Sequence, residues 1–194
     1  MSSVLNTLSQ YELFQKYDKF WKNEFEELKN CCNNSGIEFI STPFDVESAE
    51  FLNDLMDFFK ISSSDITNKP FIKTICQYVK PIILSTGASN LWEIEEAVSW
   101  IEKFQIPTVL MHCILNYPTK NSDANLLMIK HLKNCFKDFV IGYSDHTLPS
   151  KDMINISTAY LLGANVIEKH FTYNKKKKGN DHYHSMDPLD LKKI

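Results

Sequence analysis

Short runs of β-branched and aromatic residues recur six times along the 194-residue chain, and helical patterns separate most of them. Strands that alternate with helices are typical of βα units, which assemble into parallel sheets. The predicted strands are Ile37 to Ser41, Phe58 to Ser62, Pro81 to Ser85, Thr108 to His112, Val140 to Gly142 and Val166 to Lys169. The alternation predicts an α/β fold with about six parallel strands.

The helical patterns carry their own start and stop signals. Leu91 to Phe104 has its apolar residues on one face, and Asn90 with Glu93 can form a capping box at its start. Gly163 is a suitable residue to end a helix over Ser150 to Leu162. Other helices are predicted over Ser9 to Cys31 and Asn125 to Cys135, with a new one beginning at Asp187 and Pro188.

Polar residues follow the predicted strands directly. In a βα barrel, the residues after the strands meet at one face, where active sites are built from several strands. An open, doubly wound sheet also binds ligands at strand ends, but no G-x-G-x-x-G follows any strand here. The pattern favours the barrel, and its polar residues are Thr42, Ser63, Ser64, Asp65, Ser85, Thr86, His112, Ser144, Asp145, His146 and His170.

A full barrel of this kind has eight strands in roughly 250 residues. Residues 1–194 supply about six, so we expect an incomplete TIM-type (β/α) barrel forming one domain.

Composition narrows the class of protein. The net charge is -3, all 21 basic residues are lysine, and only Lys175 to Lys178 cluster, so no nucleic-acid partner is expected. No apolar run approaches the roughly 20 residues of a membrane span, and the N-terminal segment lacks the apolar core of a signal peptide. Five cysteines without a C-x-x-C pair favour a reduced, cytoplasmic protein.

Two histidines stand at the ends of consecutive strands, at His146 and His170. Their imidazoles can converge and bind a divalent ion, although histidines at such positions also serve as hydrogen-bonded structural residues. Asp145 and Glu168 beside them are candidates for fixing the ring tautomers. The H-x-H of His182 and His184 lies in a polar segment and is expected to be solvated rather than ligating.

Lys60 lies inside a predicted strand, where a charge is costly unless it meets a partner or a ligand. It can neutralise a bound phosphate or carboxylate, or act as a Schiff-base nucleophile. The hydroxyls of Thr42, Ser63, Ser85 and Ser144 can complete an anion site, or they can simply cap the helices that follow.

The segments at the strand ends together resemble a known family. FISTPFD (39–45), FKISSSDITN (59–68), KPIILSTGAS (80–89), HCILNYPT (112–119), IGYSDHT (141–147) and VIEKHFT (166–172) are similar to motifs of the sialic acid synthase family, which includes the legionaminic and pseudaminic acid synthases. The resemblance implies a transferase that condenses phosphoenolpyruvate with an N-acyl amino sugar, typically N-acetylmannosamine. The products would be a nine-carbon 2-keto sugar acid and phosphate.

The same resemblance assigns roles to individual residues. His146 and His170 match metal ligands for a divalent ion, with Mn expected and Mg, Co or Zn as alternatives. Lys60 and Asp65 match catalytic positions. Residues expected to contact substrate are Thr42, Ser63, Ser85 and Ser144 around phosphoenolpyruvate, with Tyr117 and Asp181 on the sugar side.

The chain also departs from the family pattern. Asp65 replaces a longer acid, and Leu115 stands where a polar residue is common. The first two βα units and the C-terminal antifreeze-like domain have no counterpart in residues 1–194, so we expect a homodimer or association with the missing barrel segments. Two alternatives to an active synthase therefore stay open, namely a non-catalytic remnant that binds ligand without turnover and a Schiff-base aldolase that uses Lys60.

Overall fold

Five parallel strands form one curled sheet at the centre of the protein. The computed structural model describes residues 10–179 and 181–194. Each strand pairs with the next one along the chain, in the order β1-β2-β3-β4-β5. The strands are β1 (Phe59–Ile61), β2 (Ile82–Ser85), β3 (Thr108–Cys113), β4 (Val140–Asp145) and β5 (Val166–Lys169). The predicted α/β fold with a parallel sheet is confirmed, and the curled sheet is consistent with part of a TIM-type barrel.

Helices follow the strands as the sequence pattern predicts. The bounds are α1 (Gln10–Tyr17), α2 (Lys22–Asn34), α3 (Val46–Asn53), α4 (Lys69–Gln77), α5 (Leu91–Ile101), α6 (Leu127–Cys135), α7 (Ile154–Leu161) and α8 (Pro188–Leu191). The Glu93 carboxylate accepts a 2.7 Å hydrogen bond from the backbone N–H of Asn90 at the start of α5. Asp187 caps α8, and Gly163 follows α7 with φ +103°. Among the described residues, no helix has the length and apolar content that a bilayer crossing requires.

The predicted first strand is different in the structure. Ile37 to Ser41 is not part of the sheet, and the helical stretch before it is divided into α1 and α2. Phe39 is buried in the core, while the backbone N–H of Ser41 lies 3.0 Å from the Met56 sulfur. The segment is therefore held by the buried Phe39 side chain and by individual contacts rather than by ladder hydrogen bonds, and the prediction of six paired strands was wrong by one.

A row of polar residues lies on the concave face of the sheet, near the carboxyl ends of the strands. Residues such as Phe59, Leu84 and Leu110 pack against the helices and are fully buried. Positions that alternate with them lie on the concave face because successive strand residues point to opposite sides. Cys113 pairs with Ser144, and Ser144 pairs with Glu168, so this polar row crosses three strands near their carboxyl ends.

Gly142 lets the concave face pack closely. A Cβ atom there would lie 2.2 Å from the Met111 sulfur and 2.8 Å from the Val166 carbonyl oxygen. A side chain at this position would displace the residues just below the polar row.

Candidate active site at the strand ends

A hydrogen-bonded chain of polar side chains connects β1, β4 and β5. Ser144 Oγ donates a 2.6 Å hydrogen bond to Glu168 Oε1. The other carboxylate oxygen, Glu168 Oε2, lies 3.5 Å from Lys60 Nζ. Ser144 Oγ also lies 3.5 Å from His146 Nε2, a contact that places a predicted metal ligand beside these side chains.

The neutral tautomer of His146 is fixed by the backbone. Its Nδ1 lies 2.8 Å from the carbonyl oxygen of Ile114, which can only accept a hydrogen bond, so Nδ1 carries the proton. Burial lowers the pKa of His146, and the Ile114 carbonyl opposes that shift in part. The ring therefore presents an unprotonated Nε2, the form that binds a metal ion.

Asp145 has a structural role and does not fix the tautomer, contrary to the sequence-based interpretation. It points to the opposite side of β4, where its carboxylate lies 2.7 Å from Lys169 Nζ in a pair that solvent barely reaches. The same carboxylate accepts hydrogen bonds from the Tyr143 hydroxyl at 2.9 Å and from the Thr147 hydroxyl at 2.7 Å. Alternation along the strand separates it from Ser144 and His146.

Tyr117 lies against the two predicted metal ligands. A parallel bridge between Thr119 and Thr147 brings the loop after β3 next to the end of β4. As a result, the Tyr117 ring is centred 4.1 Å from His146 and 5.8 Å from His170. The ring centres of His146 and His170 are 5.5 Å apart, so the structure brings the two histidines together as predicted.

A third histidine, His184, joins this group, contrary to the expectation that it would be solvated. The backbone N–H of Met186 donates a 2.9 Å hydrogen bond to the His170 carbonyl, which returns the segment to the end of β5. His184 is completely buried, and its ring centre lies 5.0 Å from that of His170. His182 faces away and lies 2.8 Å from the Thr172 hydroxyl. No local pattern in the sequence indicates this arrangement, because it depends on the return of the segment to β5.

The clustered side chains can hold a metal ion. One potential ligand atom from each of His170, Asp181 and His184 lies within 4.8 Å of the others. Both ring nitrogens of His184 are buried and have no hydrogen-bond partner among the described residues, which is costly unless a ligand is bound. Imidazoles with a carboxylate suit borderline divalent ions, so the donor set fits a divalent metal.

The remaining predicted site residues come from β2, from the turn after β1 and from the segment before α3. Ser85 ends β2 with its hydroxyl buried and without a hydrogen-bond partner in the part of the chain that the structure describes. Ser63 and Asp65 lie in the short turn after β1, where Asp65 accepts a 3.1 Å hydrogen bond from the Asn68 side chain. Thr42 is half-buried in the segment before α3.

Direct contacts connect some of the predicted residues and not others. Lys60, Ser144, His146, His170, Tyr117 and Asp181 belong to one network of side chains. Ser85 ends β2, Ser63 and Asp65 follow β1, and Thr42 lies in the segment before α3. The functional roles of these four residues stay predictions. Sequence reasoning missed His184 and the contact between Glu168 and Lys60.

The sequence is similar to those of known sugar acid synthases. A family model described as the NeuB family matches residues 2–194. The N,N'-diacetyllegionaminic acid synthase of Campylobacter jejuni is 42% identical over 201 residues, which cover all of this chain and 58% of that protein. The N-acetylneuraminate-9-phosphate synthase of Drosophila melanogaster is 35% identical over 95% of this chain and 49% of its own length.

Solved structures of related proteins share the fold of this chain. The N-acetylneuraminic acid synthetase of Leptospira borgpetersenii, crystallised with citrate, superposes with a TM-score of 0.83 at 38% identity, covering 89% of this chain and 59% of that one. A truncated 3-deoxy-D-arabino-heptulosonate 7-phosphate synthase of Thermotoga maritima, 18% identical with a TM-score of 0.73 over 90% of this chain and 69% of that one, shows the shared fold alone. The chain spans about half the length of the curated relatives it matches. The chain belongs to the NeuB family, and the resemblance to sialic acid synthases that its motifs predicted is confirmed.

Proposed function

We propose that this chain carries the central active-site residues of a sialic acid synthase-type transferase. The reaction condenses phosphoenolpyruvate with an N-acyl amino sugar of the N-acetylmannosamine type, giving a nine-carbon 2-keto sugar acid and phosphate. One observation carries the proposal. The connected side chains of Lys60, Glu168 and Ser144, suited to an anion, meet the histidine cluster at one end of the sheet.

The anion half of the site would hold phosphoenolpyruvate. Lys60 is a cation on the concave face, and its charge would offset the phosphate or carboxylate of the substrate. The unpartnered hydroxyl of Ser85 can donate to a substrate oxygen, which would satisfy a group that is now buried without a hydrogen bond. We assign Thr42, Ser63 and Ser144 to the same substrate from their places in the motifs.

The histidine half would hold the metal and the sugar. His146 and His170 are the proposed ligands, since His146 presents a lone pair and His170 lies next to it. A bound divalent ion, proposed as Mn with Mg, Co or Zn as alternatives, would polarise the aldehyde oxygen as a Lewis acid. Tyr117 and Asp181 flank His170 and are proposed to orient the open-chain sugar.

The proposed reaction forms a carbon–carbon bond first and releases phosphate afterwards. The enol double bond of phosphoenolpyruvate supplies the electron pair that joins its C3 to the aldehyde carbon, and the former aldehyde oxygen takes up a proton. Water adds to the cationic C2, and cleavage of the C2–O bond releases phosphate with the second proton of that water and leaves the ketone. We assign Asp65, from its place in the motif, as the carboxyl group that gives the aldehyde oxygen its proton and takes up the first proton of the water in return.

Lys60 acts by its charge in this scheme and forms no covalent bond. A Schiff base requires a neutral amine, whereas Lys60 faces the Glu168 carboxylate at 3.5 Å, an arrangement that suits an ammonium group. Borohydride with substrate should therefore trap no adduct at Lys60. A trapped adduct would favour the aldolase alternative.

The test of the proposal is phosphate release from phosphoenolpyruvate with N-acetylmannosamine and Mn, with and without EDTA. We expect release that requires both the sugar and the metal. One observation favours ligand binding without turnover, since the described strands form an open sheet in which β1 and β5 each pair on one side only. Sugar binding without phosphate release, by a folded and metal-loaded protein, would support that alternative.

The proposal also covers the location and the assembly of the enzyme. All five cysteines are free, as expected in a reducing compartment, and we propose a cytoplasmic enzyme. We further propose that it works as a homodimer or together with segments that complete the barrel.

A further inference from the structure

His184 is an unusual residue within the candidate site. Its side chain is completely buried, and neither ring nitrogen has a hydrogen-bond partner among residues 10–179 and 181–194. Leaving a buried polar group unpaired costs about 1–3 kcal/mol, so such groups nearly always have a partner. A neutral imidazole has one nitrogen lone pair that can bind a metal ion, so a bound ion would satisfy this ring.

His170 and Asp181 supply potential metal ligands close to the His184 ring. His184 Nε2 lies 3.9 Å from Asp181 Oδ1, and His170 Nδ1 lies 3.9 Å from Asp181 Oδ2. Two ligands of one tetrahedral ion with bonds of about 2.1 Å are separated by about 3.4 Å. These two separations involve different oxygens of Asp181, but one potential ligand atom from each of the three residues lies within 4.8 Å of the others. Because Asp181 is largely exposed, rotation of its side chain can bring one oxygen towards both imidazoles.

We propose that His184 is a third imidazole ligand of the metal ion, acting with His170 and one oxygen of Asp181, and that it makes the site select borderline ions over Mg²⁺. This inference rests on the metal dependence of the proposed function. The second Asp181 oxygen stays available to a sugar hydroxyl, so the proposed role of Asp181 on the sugar side is retained.

The selectivity follows from the chemistry of the donors. Mg²⁺ prefers oxygen ligands and near-ideal octahedral geometry, and it loses water reluctantly. Imidazole suits Zn²⁺, Co²⁺ and similar ions, whose affinity for nitrogen follows the Irving–Williams order. A third imidazole at His184 therefore increases affinity for Co²⁺ or Zn²⁺ and adds little for Mg²⁺.

The test measures Co²⁺ binding to the full chain after chelator treatment, without phosphoenolpyruvate or sugar. Calorimetry gives the affinity, and the visible absorption of the bound Co²⁺ reports its ligand field. In His184→Phe, which keeps the bulk of the ring and removes its nitrogens, we expect Co²⁺ affinity to fall by about 10–100-fold or more, since even outer-shell changes have effects of that size. The matched control is His182→Phe, because His182 contacts Thr172 instead of the cluster, and its affinity should stay unchanged.

A measurement on the unmodified protein covers the case in which His184→Phe does not fold. Pulsed EPR of bound Cu²⁺ counts the coordinating imidazoles, and His182→Phe should leave that count unchanged. Three coordinating imidazoles in the unmodified protein is the expected result. Two imidazoles in the unmodified protein, unchanged Co²⁺ affinity in His184→Phe, or no Co²⁺ binding at all would overturn the inference.

These results are separate from the test of the proposed reaction. A chain that binds Co²⁺ through His184 but releases no phosphate would retain this inference and contradict the proposed function. Phosphate release that requires metal, with unchanged metal affinity in His184→Phe, would support the proposed function and contradict the role of His184.

Discussion

Ser144 Oγ donates a 2.6 Å hydrogen bond to Glu168, whose second oxygen lies 3.5 Å from Lys60. One carboxylate therefore positions a hydroxyl from β4 and a cation from β1. These two strands are not neighbours in the sheet, so Glu168 connects positions that strand pairing alone does not join.

Replacing Glu168 with Gln should lower activity and leave the fold intact. Gln can still accept from Ser144, but it removes the charge that holds Lys60. We expect kcat/KM for phosphoenolpyruvate to fall about tenfold or more, a size typical for residues that position others in a site. Steady-state phosphate release measures it. The exposed Glu95→Gln is the control, and equal activities in the two variants would contradict the assigned role.

The buried pair of Asp145 and Lys169 should contribute to stability rather than to chemistry. Changing Asp145 to Asn leaves the Lys169 charge buried without its partner, which we expect to destabilise the protein by about 3–5 kcal/mol. Urea unfolding followed by circular dichroism measures the loss. The double variant Asp145→Leu with Lys169→Met removes both charges and should recover part of the stability, because the Tyr143 and Thr147 hydroxyls still lose their acceptor. A single variant with unchanged stability and lost metal binding would restore the metal-site interpretation of Asp145.

The unpartnered hydroxyl of Ser85 should contribute to substrate binding rather than to stability. Because its oxygen is buried without a hydrogen bond, Ser85→Ala should leave the free energy of unfolding unchanged or raise it by up to about 1 kcal/mol. The KM for phosphoenolpyruvate should rise about tenfold, because a hydrogen bond to a charged ligand is lost. Ser99→Ala on the exposed face of α5 is the control. Destabilisation with an unchanged KM would show that Ser85 is structural.

The ion pairs at the start of α8 should make stability depend on acid pH. Burial alone would raise the pKa of Asp190, but hydrogen bonds from Lys175 and Lys193 lower it to about 2. A carboxyl with a depressed folded-state pKa stabilises the protein above its ordinary pKa of 3.8, and that stabilisation is lost as the pH falls towards about 2.

Asp190→Asn should therefore be less stable than the unmodified protein by about 1 kcal/mol at neutral pH, after allowing for solvent screening of the lysines. The difference should shrink between pH 3.8 and about 2. Urea midpoints at several pH values measure it, with the exposed Asp138→Asn as control. A difference that does not depend on pH would mean that packing, rather than charge, is responsible.

The sequence was most informative where local pattern determines structure. Five of the six predicted strands and the capped start of α5 follow from periodicity and from the Asn90–Glu93 pair. Ile37 to Ser41 has the composition of a strand, but pairing depends on neighbouring backbone, and no local pattern reports that. The resemblance to the family identified His146 and His170, which the structure brings together.

Long-range placement explains what the sequence could not predict. Asp145 directly precedes His146, whereas Glu168 stands two residues before His170, so strand alternation sends Asp145 to the buried pair with Lys169 and Glu168 to the concave face. His184 comes from a polar segment that looks solvated, and only its return to the end of β5 buries it beside His170.

The proposed condensation is tested most directly by following a labelled oxygen of phosphoenolpyruvate into the products. Phosphoenolpyruvate labelled with ¹⁸O at the bridging oxygen is incubated with N-acetylmannosamine, Mn²⁺ and the chain, and both products are analysed by mass spectrometry. The account predicts equal amounts of labelled phosphate and an unlabelled nine-carbon 2-keto acid, both abolished by EDTA and by loss of His170. Phosphate released without the sugar acid, or no turnover by a folded chain shown to bind the metal, would contradict it.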